Sequence, residues 1–97
     1  MTDQERLRLR TVLHECQTMV IGFTDAELEF AYFRVVECLS IREVAQQMSI
    51  SPRTAEHYWR HILDKLGLEG HGHVSQLIAR YWRRVGYEEG LANARHL

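Results

Sequence analysis

Ser40-Ile-Arg42-Glu43-Val44-Ala45-Gln-Gln-Met48-Ser49-Ile50-Ser51-Pro52-Arg53-Thr54-Ala55-Glu56-His57-Tyr58-Trp59-Arg60 contains two helix starts separated by a very short turn. Ser40 and Glu43 have capping-box spacing, in which a hydroxyl and a carboxylate each accept from the other residue's backbone N–H. The short helix they open turns Val44, Ala45 and Met48 inward and ends near Ser49. Ser51 is then an N-cap with Pro52 at the first helical position, where a missing N–H costs nothing. This second helix runs to Leu66, with Gly67 as the left-handed residue that stops it. At 100° per residue, Ala55, Trp59, Ile62 and Leu66 fall within about 60° of arc and form a core stripe. The opposite face carries Arg53, Glu56, His57, Arg60, His61 and Asp64. A short helix, a tripeptide-scale turn and a capped second helix make a helix-turn-helix unit. In such a unit the N-terminal part of the second helix enters the major groove, so Arg53, Glu56, His57 and Arg60 are the side chains that would reach base edges.

Working outward, Thr2 and Glu5 repeat the capping pattern, followed by Leu9, Val12, Leu13, Cys16 and Val20 at helical spacing, which predicts a first helix over about 3–20. Thr24 and Glu27 repeat it again, with Phe23 and Leu28 placed as a hydrophobic staple. The second helix is expected to run to about Cys38, burying Leu28, Ala31, Tyr32, Val35 and Val36 and leaving Phe30 and Phe33 off that stripe. After the Gly/His-rich turn over 69–73, a fifth helix is expected from about Val74 to Val85, closed by Gly86, with a fraying tail beyond. No stretch reads as a strand. The expectation is therefore an all-α helix-turn-helix bundle of about five helices, divided into an N-terminal helical extension (1–22), the helix-turn-helix domain (23–86) and a C-terminal tail (87–97).

Ninety-seven residues with 45% hydrophobic and 26% charged content fit one small folded domain. There is no room for a second, sensing domain, so a stand-alone protein is expected. No stretch suits a membrane span or a signal peptide, and two cysteines make neither a disulfide framework nor a CxxC pair. Cys16 and Cys38 are expected as buried thiols in a cytoplasmic protein. The formal charge of −1 offers no bulk attraction to nucleic acid, yet it is unevenly spread. Residues 1–50 hold five Lys/Arg against eight Asp/Glu, whereas 51–86 hold six (Arg53, Arg60, Lys65, Arg80, Arg83, Arg84) against three, so −3 faces +3. A cation excess around the second helix of the motif is what phosphate neutralisation requires.

From Phe23 to about Gly86, some two thirds of its length, the chain resembles the LuxR-type (GerE- or NarL-type) helix-turn-helix of bacterial transcription regulators. Thr24-Asp-Ala-Glu27-Leu28-Glu is similar to the family's opening segment, with Phe23 for its leucine. Leu39-Ser40-Ile-Arg-Glu43-Val44-Ala45 is similar to its first helix-turn-helix element. Ile50-Ser51-Pro-Arg-Thr54-Ala55-Glu-His-Tyr58, followed by Ile62-Leu-Asp-Lys65-Leu66-Gly67-Leu68, is similar to its recognition helix and exit. The resemblance implies transcription regulation through double-stranded DNA, with Glu56, His57 and Arg60 facing bases and Thr54, Tyr58 and Lys65 near phosphates. Ser40, Arg42 and Arg53 complete the expected DNA-binding set. It further implies a homodimer through the last helix, here the stripe Val74, Leu77, Ile78, Tyr81 and Val85. That stripe has an equally good use in packing on the chain's own core.

Besides Phe23, four positions depart from the pattern. Cys38 stands where the family usually has glycine, so the helix before Leu39 is expected to close without a left-handed residue. Ala55 replaces a usual valine, Tyr58 a usual histidine, and Glu56 occupies an often basic position. A carboxylate there is repelled by phosphates unless it accepts from a cytosine amino group. Glu56, Tyr58 and the acidic first half therefore support a second expectation, a helix-turn-helix relative that binds another regulator or an RNA polymerase component without reading DNA. No membrane partner, cofactor or metal is expected: His57 and His61, or His71 and His73, lack further ligands nearby in sequence. Nor does any nucleophile–base pair or phosphate-cradling glycine loop suggest an enzyme.

Overall fold

A computed structural model of the protein describes residues 1–16, 22–67 and 73–94. Its elements are α1 (Asp3–Cys16), α2 (Asp25–Ala31) continued by a π-helical turn (Tyr32–Val36), α3 (Ile41–Met48), α4 (Pro52–Leu66) and α5 (His73–Ala94), with no strand among the described residues. The fold is the expected all-α, five-helix bundle. Val20 at the expected end of the first helix, Leu68, His71 and Arg95 lie outside the described residues.

Local chemistry sets the helix starts. Glu5 N–H donates to Thr2 Oγ1 at 3.1 Å while Thr2 N–H donates to Glu5 Oε1 at 2.9 Å. The same reciprocal pair forms at Thr24 and Glu27 and at Ser40 and Glu43. Ser51 accepts from Thr54 N–H at 3.1 Å, with Pro52 opening α4. Each cap satisfies donors that the first helical turn leaves without partners. Gly67, at φ 69°, ends α4 as expected.

α3 closes on Ser49, held left-handed at φ 56°. Ile50 N–H donates to Ala45 O at 3.0 Å and Ser49 N–H to Gln46 O at 3.3 Å, the paired bonds of a Schellman motif. The end of the second helix differs from expectation. Its last turn widens into a π-helix, with Glu37 N–H reaching Tyr32 O at 3.2 Å. Cys38 then takes φ 58°, so a left-handed residue does close this helix, without the glycine that would favour it. Cys38, off the end of the helix, is exposed, and Cys16 at the end of α1 is half-buried, so neither is the buried thiol expected.

One core gathers Leu9, Val12 and Leu13 of α1, Leu28, Phe30 and Ala31 of α2, Val35 of the π turn, Val44 and Ala45 of α3, Ala55, Trp59, Ile62 and Leu66 of α4, and Leu77 and Tyr81 of α5. Met48, Tyr32 and Val36 pack against it half-buried. Phe30 is off the Leu28 stripe, as its spacing requires, but fully buried. α2 packs against α1 and also against α4, so it needs two apolar faces. Phe30 supplies the second, stacking on Tyr58 and Trp59 at centroid distances of 5.9 and 6.2 Å.

α5 does not stop at Gly86. It continues through Gly86 and Gly90 to Ala94, 22 residues in all, where a fraying tail was expected. Glycine in a helix costs only about 1 kcal/mol, which tertiary contacts can exceed. Arg8 of α1 supplies such a contact, holding Glu88 Oε2 from Nε at 2.8 Å and from Nη2 at 2.7 Å. Arg84 reaches the other oxygen of Glu88 at 3.4 Å.

Candidate nucleic-acid interface

The short α3, the left-handed Ser49 and the Ser51 cap pack α4 against α3. Ala55, Trp59, Ile62 and Leu66 bury one side of α4, leaving Arg53, Glu56, His57, Arg60, His61 and Asp64 exposed on the other. The structure thus brings Arg53, Glu56, His57 and Arg60 onto one solvent-facing surface. Arg42 is exposed on α3.

Two residues of the expected DNA-binding set, Thr54 and Ser40, also serve helix caps. Thr54 Oγ1 accepts from Ser51 Oγ at 2.9 Å, and Ser40 Oγ accepts from Glu43 N–H at 3.2 Å, although both side chains stay exposed and Thr54 retains a hydroxyl proton to donate. Lys65 departs further from the expectation. Its ammonium donates to Glu27 Oε1 at 2.6 Å and Gly22 O at 3.2 Å, and lies 5.6 Å from the centroid of the Phe23 ring. Lys65 is therefore turned toward the start of α2 instead of toward solvent phosphates. Burial alone would raise the Glu27 carboxyl; Lys65 and the Thr24 backbone and hydroxyl outweigh it and hold the group below the usual carboxylate range.

Tyr58 is half-buried, its ring stacked on Phe30 at an interplanar angle of 15°. With Thr24, Glu27, Thr54, His57 and His61 it lines an open groove of about 410 Å³ between the start of α2 and α4. The tyrosine thus gives the groove an aromatic wall.

Arg34 was not among the expected site residues. From the π turn its Nη1 donates to Leu39 O at 2.9 Å, just before the α3 cap, and its guanidinium lies 5.3 Å from the Trp59 ring centroid. Burial pushes this guanidinium down, and Nε has no hydrogen-bond partner. One side chain thereby ties the start of α3 to the inner face of α4. An arginine among apolar residues at 32–36 was the only sequence signal, and the π turn that aims it has no signature at this length.

The expected dimer stripe divides in the structure. Leu77 and Tyr81 are 1% exposed within the chain's own core, and Val74, Ile78 and Val85 are half-buried beside it. α1 packs along α5, which is why this face is occupied. Among the described residues no group of three or more His, Cys, Asp or Glu is placed to hold a metal, and no helix is long and apolar enough to cross a membrane.

Comparisons with protein-family models, with curated proteins and with solved structures find no match.

Proposed function

We propose that the protein is a sequence-specific DNA-binding transcription regulator of the LuxR-type kind, acting in the cytoplasm and laying the N-terminal half of α4 in the major groove. The observation that carries this reading is the two-sided division of α4. Its buried stripe fixes the helix, and its exposed side offers Arg53, His57 and Arg60 as donors with Glu56 as an acceptor. Arginine can donate two parallel bonds to guanine, and Glu56 accepts from cytosine, so a mixed G·C-containing site suits this set. A homodimer on a two-fold related site belongs to the same proposal, with half-sites about 34 Å apart. With Leu77 and Tyr81 in the protomer's core, its contact would use the outer side of α5, where Trp82 is 49% exposed.

The test is a gel shift at controlled salt on duplexes selected from a random pool. Arg60→Ala is expected to lose about 1–3 kcal/mol and to relax the preference at one base position. Unchanged affinity together with unchanged preference would remove Arg60 from the reading.

A second reading, a module that binds another regulator or an RNA polymerase component, is favoured by two observations. Lys65 is engaged by Glu27, and Glu56 stands exposed on the surface that would meet phosphates. A pull-down that recovers such a partner, from a protein that selects no duplex at any salt, would favour it over DNA reading.

A further inference from the structure

A second cationic surface lies on the α1–α5 pair and includes no residue of α4. Arg8 of α1 meets Tyr81 and Glu88, and Glu15, farther along α1, faces the same stretch of α5. Between the two helices is a groove of about 300 Å³ lined by Glu15, Arg80, Arg83, Arg84 and Tyr87.

Arg80, Arg83, Arg84 and Tyr87 follow the i, i+3, i+4, i+7 spacing of one helical face, so the guanidiniums gather within about one turn. Like charges at that spacing repel, by about 0.2–0.5 kcal/mol per pair in isolated helices. Yet a chain of formal charge −1 places three arginines there, with Glu15 the carboxylate among the described lining residues and Glu88 beside Arg84. Glu15 makes no ion pair within 4.0 Å with any of them among the described contacts.

The wall of the groove is also braced. Arg8 Nη1 donates to the buried Tyr81 hydroxyl at 3.3 Å and its other nitrogens grip Glu88. Glu88 receives Arg84 Nε at 3.4 Å, and the Arg84 guanidinium lies 5.6 Å from the Tyr87 ring centroid. This relay runs from the core to the rim and fixes Arg84, so less side-chain entropy is lost on binding. Glu88 is thereby taken up by Arg8 and Arg84, while exposed Glu89 is the remaining acidic neighbour on α5.

We infer that this groove binds phosphate groups, with Arg80, Arg83 and Arg84 as donors and the Tyr87 hydroxyl at its edge. A terminal phosphate fits better than a carboxylate because it carries up to two charges and three free acceptor oxygens, and along a nucleic-acid backbone successive singly charged phosphates can serve several guanidinium forks at once. The phosphate can be that of a free nucleotide or of a nucleic-acid backbone; the donors required are the same.

The experiment follows arginine Nε–Hε resonances of the full chain by NMR at constant ionic strength. The probes are inorganic pyrophosphate, adenosine monophosphate and a short DNA duplex, with acetate as the singly charged control. Expected is a saturable shift of Arg80, Arg83 and Arg84 with at least one phosphate probe. Arg83→Ala should weaken it about tenfold or more, and Arg83→Lys by less. Arg83 is exposed, so these variants leave the core intact. Saturation by pyrophosphate or the mononucleotide assigns a free phosphate ligand; saturation by the duplex alone assigns a backbone. Absence of saturation with all three probes, equal shifts at Arg53 and Arg60 with pyrophosphate, or an equal response to acetate would overturn the inference. Because Arg53 and Arg60 on α4 are followed separately, failure of DNA reading by α4 is distinguishable from failure of this site.

Discussion

Lys65 Nζ lies 2.6 Å from Glu27 Oε1, joining the last turn of α4 to the first turn of α2 across 38 residues of sequence. The carboxylate is 8% exposed and the ammonium's side chain 20%, so water screens the pair only partly. Glu27→Gln keeps the capping geometry, because glutamine also accepts from the Thr24 N–H, but removes the charge. Urea unfolding should show a loss of about 1–3 kcal/mol, and Glu27→Ala a larger loss because the cap goes too. Unchanged stability of Glu27→Gln would mean that the ion pair contributes nothing beyond the cap, and equal losses for the two variants that the cap contributes nothing beyond the ion pair.

Acid should weaken the fold through the capping carboxylates. The Thr2 backbone and hydroxyl hold Glu5 below the usual range, and the Ser40 backbone and hydroxyl do the same for Glu43. Glu27 is lowered as well, by Lys65 and Thr24 acting against burial. A carboxyl whose folded pKa is depressed adds stability above its unfolded pKa, about 4.3, and loses it as pH falls toward the folded value. The melting temperature should therefore be flat from neutral pH down to about 5 with respect to these groups and fall below about 4. A triple Gln variant at these positions should flatten that acid limb; an unchanged limb would place acid sensitivity elsewhere.

Gly86 and Gly90 lie inside α5, and a methyl group added at either meets nothing within 4 Å. Alanine loses less backbone entropy on entering a helix, so Gly86→Ala and Gly90→Ala should each stabilise the protein by about 0.5–1 kcal/mol. Thermal melts read this, and amide exchange should slow in the last turns of α5. Neutral or destabilising substitutions would show that the helix end does not fold cooperatively with the bundle.

Cys38 holds φ 58° and Ser49 φ 56°, values that suit glycine. Cys38→Gly should gain up to about 1 kcal/mol from relief of the left-handed strain, reduced by the greater freedom of glycine in the unfolded chain. Cys38→Val should lose stability, because a branched Cβ is worse still in that conformation. If valine proves as stable as glycine in chemical denaturation, backbone strain does not govern this helix end.

Glu56 should oppose nonspecific binding if α4 meets DNA. Glu56→Gln is expected to raise affinity for random duplex, most strongly at low salt, while reducing discrimination at any base the carboxylate reads. Fluorescence anisotropy at two salt concentrations checks both effects. No change in either quantity would put Glu56 outside the contacted surface.

Short-range chemistry is where the sequence by itself was decisive. Ser and Thr with Glu three residues on, Ser-Pro and a terminal glycine specified the helix starts at Thr2, Thr24, Ser40 and Ser51 and the stop at Gly67, because caps are satisfied within one turn of the chain. The same 100° periodicity gave the buried and exposed sides of α4, hence the surface bearing Arg53, Glu56, His57 and Arg60. What only the tertiary structure decided depends on partners distant in sequence. α1 lying along α5 placed Leu77 and Tyr81 in the core and, through Arg8 and Glu88, carried α5 past two glycines. Contact with α4 buried Phe30, and Glu27 turned Lys65 away from solvent. A residue's own neighbours fix whether it begins or ends a helix; which of two acceptors a long cationic side chain meets is set by where the bundle brings a carboxylate, and that is not written in local spacing.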